Sequence, residues 1–328
     1  MEFTDLIDLA SERLGGTVLF ANDDFFAFKD NLLKPTSPVF IEGKYTDRGK
    51  WMDGWESRRR RTPGYDWCLI RLGLPGIVRG VVVDTSFFRG NYPEQCSLDG
   101  ASLAALTDVE ELVKLENAWT ELLPQSDLQG DAQNSFFIDS DQCLTHLRLK
   151  IFPDGGVARL RVFGEVVPDW ERVSAEGQID LAAVEYGGRV ISCSDMFFGH
   201  RHNLIMPGRA LNMSDGWETK RRRGPGHDWV IIRLGCAGEI ERVEVDTSWF
   251  KGNFPESCSL EAANNGPGEN PETAQWRPLL ARKTLQAHTR HFFLEEIQRL
   301  GPVSFVRFNI FPDGGVSRLR LYGRPSAR

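Results

Sequence analysis

DGWESRRRRTPGYDWCLIRLG at 53–73 and VVVDTSFFRGNYPEQCSL at 81–98 return as DGWETKRRRGPGHDWVIIRLG at 215–235 and VEVDTSWFKGNFPESCSL at 243–260. The blocks 53–98 and 215–260 align without a gap at a shift of 162, with 29 of 46 positions identical. Such an internal repeat means one supersecondary unit used twice in tandem. It also supplies an internal comparison: what matches serves both copies, and what differs separates one copy from the other.

The repeat continues outward. IDLASERLGG at 7–16 matches IDLAAVEYGG at 179–188, and DDFFAFKDNLLKP at 23–35 matches DMFFGHRHNLIMP at 195–207. LRLKIFPDGGVARLRVFG at 147–164 matches VRFNIFPDGGVSRLRLYG at 306–323. The shifts of 172, 162 and 159 place the length changes between motifs, where loops tolerate them. Two domains are expected, 1–167 and 177–328, with a polar linker near 165–178.

Short runs rich in β-branched and aromatic residues, such as DWCLIRLG, HLRLKIF and ARLRVFG, are punctuated by Gly, Pro and Asp, which is strand-and-turn chemistry. The fold class expected is all-β, a tandem pair of β-sandwiches of jelly-roll type. PDGG predicts a hairpin turn joining its flanking strands. In VARLRVFG, Val157, Arg159 and Arg161 alternate with Ala158, Leu160 and Val162, giving one basic and one apolar face. Helical spacing is confined to residues 5–14 and 102–123. The second copy replaces the first part of the latter with NNGPGENPETAQW, so that helix is expected to be accessory.

With a formal net charge of −7, a general nucleic-acid-binding surface is not expected. No apolar run is long enough to span a membrane, and the acidic N-terminus lacks the apolar core of a signal peptide. A cytoplasmic protein is expected. The six cysteines form no C-x-x-C pair, so redox or zinc motifs are absent and buried packing thiols are expected. Nine Trp and 21 Phe suggest subunit contacts, where aromatics concentrate, and hence a homo-oligomer.

Three repeated strings carry polar chemistry. The first is DGWE with its run of four cations, Arg58–Arg61 and Lys220–Arg223. If the run is extended, Arg59 and Arg61 share a face, as do Arg221 and Arg223. A guanidinium pair suits a carboxylate, whereas a solvated basic strand is the plain alternative. The second is Asp66 in PGYDW and Asp228 in PGHDW, either turn caps or site acids. The third is the loop from Asp84 to Glu94, repeated as Asp246 to Glu256, whose Asn91, Glu94, Asn253 and Glu256 could bind a polar ligand, a turn network or a hard divalent cation. Five of six histidines lie in the second copy, and His227 stands inside a motif where the first copy has Tyr65.

These strings together resemble the allantoicase family over nearly the whole chain. The resemblance implies two jelly-roll domains of galactose-binding-like architecture, and conversion of allantoate and water to ureidoglycolate and urea. Allantoate carries one carboxylate and two ureido groups on one carbon. The chemistry asks for a cation to hold the carboxylate, for which Arg59, Arg61, Arg221 and Arg223 are the candidates. It also asks for an acid and a base. Asp53, Glu56, Asp66 and Glu94 are expected to converge for this, with Asp215, Glu218, Asp228, Glu256 and His227 as the twin set. Asn91 or Asn253 would orient a ureido group. A divalent metal, Mn or similar, could polarise the substrate instead. The competing reading is a non-catalytic tandem sandwich that binds a small anion or sugar, since one fold hosts many functions.

Overall fold

The computed structural model describes residues 2–103, 108–175, 177–264, 271 and 274–326. The chain divides into two compact units, Met1–Val167 and Pro168–Arg328.

In the first unit the strands are β1 (Ile7–Asp8), β2 (Thr17–Ala21), β3 (Tyr45–Thr46), β4 (Gly49–Lys50), β5 (Trp55–Glu56), β6 (Asp66–Asp84), β7 (Gln95–Ala101), β8 (Thr120–Asp127), β9 (Gln133–Phe137), β10 (Cys143–Phe152), β11 (Gly156–Val157) and β12 (Arg159–Val166). The second unit has β13 (Ile179–Asp180), β14 (Arg189–Cys193), β15 (Trp217–Glu218), β16 (Asp228–Asp246), β17 (Ser257–Ala263), β18 (Arg277–Thr284), β19 (Arg290–Phe293), β20 (Val303–Phe311), β21 (Gly315–Val316) and β22 (Arg318–Pro325).

One long strand organises each unit. The first half of β6 pairs with β2 and β10, and its second half with β12 and β9. Two antiparallel layers, β2–β6–β10–β7–β8 and β1–β12–β6–β9, therefore share this strand. β16 does the same with β14 and β20, then β22 and β19. Both units have the same strand order, so the duplicated sequence gives a duplicated jelly-roll-like sandwich. The layers close over alternating apolar residues such as Ile70, Val81, Val83, Leu147, Leu149 and Leu160, all nearly or fully buried. Their removal from water is the main stabilising contribution.

Three local expectations are corrected. Residues 5–14 do not form one helix. Ile7 and Asp8 pair with Gly164 and Phe163, and Ser11 caps a short 3-10 turn at Glu12–Leu14. Sheet pairing outweighs the marginal stability of a ten-residue helix. Among the described residues of 102–123 only Val109–Lys114 is helical, and Thr120 begins β8, which has its counterpart in β18. Residues 104–107 and most of NNGPGENPETAQW lie outside the described residues. PDGG is not a hairpin turn either. β10 and β12 do not pair with each other; each pairs with a different half of β6. PDGG thus carries the chain from one layer to the other.

The six cysteines are free. Burial pushes the Cys96 and Cys258 thiols up to about 12, which suits packing residues and not nucleophiles. Among the described residues no helix is long and apolar enough to cross a membrane.

Candidate active site

The site grows from the PDGG crossing. After the turn, Gly156 and Val157 pair with Glu56 and Trp55, and Gly315 and Val316 pair with Glu218 and Trp217. Trp55 and Trp217 are fully buried. Each donates its indole N–H to a backbone carbonyl, of Asp23 and Asp195 respectively, at 2.8 Å. Such an anchored indole fixes the neighbouring Glu. The glycines permit the close approach: a Cβ on Gly155, whose φ is +139°, would lie 2.8 Å from the Asn91 carbonyl oxygen.

Asn91 then binds both partners. Its carbonyl accepts the Gly156 N–H at 2.7 Å, and its side-chain amide donates to Glu56 Oε1 at 2.7 Å. Asn253 repeats both bonds, to Gly315 at 2.8 Å and to Glu218 Oε1. Burial raises the Glu56 and Glu218 carboxyls above the usual range, and the Asn hydrogen bond offsets part of that rise. A carboxyl held partly desolvated stays protonated to higher pH, which is what a general acid requires.

The basic run is laid along the same turn. Ser57 N–H donates to the Gly155 carbonyl at 3.1 Å, and the Arg60 N–H to Asp154 Oδ2 at 2.8 Å. Arg222 repeats the bond with Asp313 at 2.8 Å. The Arg60 guanidinium donates to buried Asp66 Oδ1 at 2.7 Å, and Asn22 donates to the same oxygen at 2.9 Å. In the second unit Arg222 and Ser194 both donate to Asp228 Oδ1. Asp66 Oδ2 is buried without a hydrogen-bond partner.

The structure therefore brings Glu56, Asp66 and Asn91 of the expected set around one turn, and Glu218, Asp228 and Asn253 around its twin. Others fall elsewhere. Asp53 belongs to a buried ion pair, its Oδ2 2.7 Å from Arg159 Nη2, while Arg159 also donates to the Asp53 carbonyl at 2.9 Å. Asp215 and Arg318 repeat this at 3.0 Å. The basic face expected on β12 is thus an interior anchor: Arg159 is 1% exposed. These two aspartates hold the loop and leave the set of acid–base candidates. Glu94 and Glu256 are exposed, and their backbone carbonyls accept from Leu128 and Leu285. Nothing draws their carboxylates to the turn.

The expectation of a strand in the basic run fails, because 57–65 is an irregular loop, and strict alternation fails with it: Arg58 is exposed and pairs with Asp23 at 2.6 Å. Arg60 points inward, whereas Arg59, Arg61, Arg221 and Arg223 are exposed and keep their guanidinium donors for solvent or an anion. His227 lies beside the twin site, with Nε2 3.2 Å from Asn309 Oδ1 and its ring on Phe311 at 4.6 Å. Tyr65 occupies the equivalent place on Phe152 at 5.2 Å. Arg60, Arg222, Asp154 and Asp313 were missed as site residues, although all four stand in repeated strings. Among the described residues no three His, Cys, Asp or Glu side chains gather as metal ligands.

Comparison with known proteins agrees over the full length. A family model described as the allantoicase repeat matches residues 7–167 and 179–326. A protein named probable allantoicase from Pseudomonas syringae pv. syringae is 50% identical over 326 residues, covering 98% of this chain and 97% of that protein. Another so named, from Pseudomonas fluorescens, is 51% identical over 326 residues with the same coverage. The crystal structure of allantoicase from Saccharomyces cerevisiae superposes with a TM-score of 0.82 at 35% identity, covering 97% of this chain and 92% of that one.

Proposed function

The chain belongs to the allantoicase family, and from that premise we propose that it hydrolyses allantoate to ureidoglycolate and urea through the carboxyls of Glu56 and Glu218. The observation that carries the assignment of roles is the repeated Glu–Asn pair, with each Glu carboxyl raised by burial. Exposed Arg59, Arg61, Arg221 and Arg223 receive the substrate carboxylate, to which guanidinium donors are matched.

Protonated Glu56 or Glu218 donates to the departing ureido nitrogen. The C–N bond breaks, its electron pair leaves with urea, and the lone pair on the remaining ureido nitrogen forms an iminium at the central carbon. Water adds to that carbon and returns a proton to the glutamate. One carboxyl serves as acid and then base, so a second is not required. Asn91 and Asn253 orient it, and the Arg60–Asp66 and Arg222–Asp228 pairs hold the loop beneath the exposed arginines. The alternative of a non-catalytic anion or sugar binder offers no use for a raised carboxyl. We place the reaction in the cytoplasm, in the breakdown of purine-derived allantoate, and the protein in a homo-oligomer, for which light scattering is the check.

Product analysis tests the reaction. Carbon-13 NMR of allantoate incubated with the purified chain should show urea and ureidoglycolate forming in equal amounts. Ammonia as the nitrogen product, or no conversion, would contradict the assignment.

A further inference from the structure

The second unit holds a cleft of about 420 Å³ that contains neither Glu218, Arg222, Asp228 nor Asn253. Its size is that of a small-molecule site. At its base Asp180 Oδ2 lies 3.4 Å from Arg320, and the first unit has the same pair, Asp8 and Arg161, at 3.5 Å. Ile179, Pro207, Asp246 and Arg318 are also the same in both copies, but other lining residues differ. Glu244 stands where the first unit has Val82, Tyr322 where it has Phe163, Arg209 where it has Ser37, and Glu185 where it has Arg13. Arg290 faces Asp246 in the register where Gln133 faces Asp84.

The first unit is thus a control built into the chain. It forms the same sandwich with Val82 and Phe163, so the fold does not require charge here. Glu244 is 4% exposed and pairs with Arg290 at 2.6 Å. Only Glu244 is buried; its partner Arg290 is exposed, and a pair open to solvent on one side adds little stability over Val82. Glu185 Oε2 is buried without a hydrogen-bond partner, an open acceptor of a kind that native structures seldom leave unexplained. Burial, with the Glu185 charge as a lesser contribution, pushes the Asp180 carboxyl up to about 6 against the pull of Arg320. At the rim Arg209 is exposed, and it reaches Ser248 Oγ at 3.3 Å.

The geometry points to this cleft as a binding site for a small carboxylate that also carries ureido N–H groups. Arg209 and the Tyr322 hydroxyl supply donors for the carboxylate, and Glu185 and Glu244 supply acceptors for N–H. The choice of a ureido acid, as opposed to another amphoteric molecule, rests on the allantoate reading. The site is confined to the second unit, so the two copies are unequal in ligand binding while alike in their Glu–Asn pairs.

Calorimetry with ureidoacetate (N-carbamoylglycine) as the probe tests this on the full chain. It is run in a Glu56→Gln, Glu218→Gln background, so that binding at the Glu–Asn sites is altered separately. Adding Glu244→Val, Arg290→Gln and Tyr322→Phe installs the first unit's own residues. These changes should weaken binding at least tenfold with no loss of melting temperature. Arg209→Ser, at an exposed position, should weaken it several-fold alone with the melting temperature unchanged. Unchanged affinity in both variants overturns the proposal, as does a Glu56→Gln, Glu218→Gln chain that does not bind the probe. Urea release from allantoate by the wild type is scored separately. Activity with probe binding unmoved by the cleft changes sinks the cleft alone, whereas cleft-dependent binding without activity sinks only the hydrolase reading.

Discussion

Asn91 holds Glu56 at 2.7 Å with its side chain while its carbonyl accepts the N–H of Gly156, the residue opposite Glu56 in the ladder. Asn253 repeats the arrangement with Glu218 and Gly315. The carboxyl, its orienting amide and the turn that presents it are therefore one unit, made twice.

A pH dependence follows. The acid acts while protonated, so kcat should fall as pH rises through the glutamate pKa. The Asn hydrogen bond lowers that pKa. Replacing Asn91 and Asn253 by Ala should raise it further and move the alkaline limb of the kcat profile to higher pH. A limb that stays in place, or moves down, is inconsistent with Glu56 and Glu218 as the acid.

Asp53 and Asp215 should behave as structural residues. Asp53→Ala leaves the buried Arg159 guanidinium without its counter-charge, which costs about 3–5 kcal/mol. Thermal unfolding should show a large drop in Tm for this variant and for Asp215→Ala. Unchanged Tm with lost activity would return both to the catalytic set.

The exposed arginines should show the opposite pattern. Losing a charge-assisted hydrogen bond to a carboxylate removes about 1.5–3 kcal/mol, so Arg221→Ala with Arg59→Ala should raise KM roughly ten- to a hundred-fold. Their exposure leaves Tm unchanged. A KM equal to wild type would assign the substrate carboxylate to another cation.

Acid stability offers a check independent of substrate. Burial pulls the His202 pKa down to about 3, with its Nε2 3.1 Å from the Val190 carbonyl. The unfolded chain, with His near 6.5, binds the extra proton first. Stability supplied by neutral His202 is therefore present above about 6.5 and is lost as pH falls towards 3. His202→Gln should flatten the fall of Tm across that window. An unaltered slope would mean that His202 titrates normally in the fold.

Much of this was legible in the residues. The doubled strings gave two copies of one all-β unit, and Glu56, Asn91 and Asp66 could be named because both copies carry them. The alternation expected of Arg58–Arg61 fails at Arg58, which is exposed and paired with Asp23, because the run is a loop and not a strand. Repetition could not tell an anchor from a reagent. Asp53 is as faithfully repeated as Glu56, and only the burial of Arg159 shows it to be a tether. PDGG misled because a hairpin and a layer crossing need the same glycines, and the choice is made by β6, nineteen residues long and shared between layers. The 5–14 segment misled because Ile7–Asp8 finds a strand partner more than 150 residues away, beyond the reach of local periodicity.

The most direct test is urea release from allantoate by Glu56→Gln, Glu218→Gln and the double variant, with Tm measured on each. Glutamine keeps the shape and can still meet the Asn side chains, but it cannot give up a proton. Each single variant should retain the activity of its intact twin. The double variant should lose roughly 10²–10⁴-fold in kcat, the usual contribution of a general acid, with Tm close to wild type. A double variant that folds and releases urea at the wild-type rate would contradict the account.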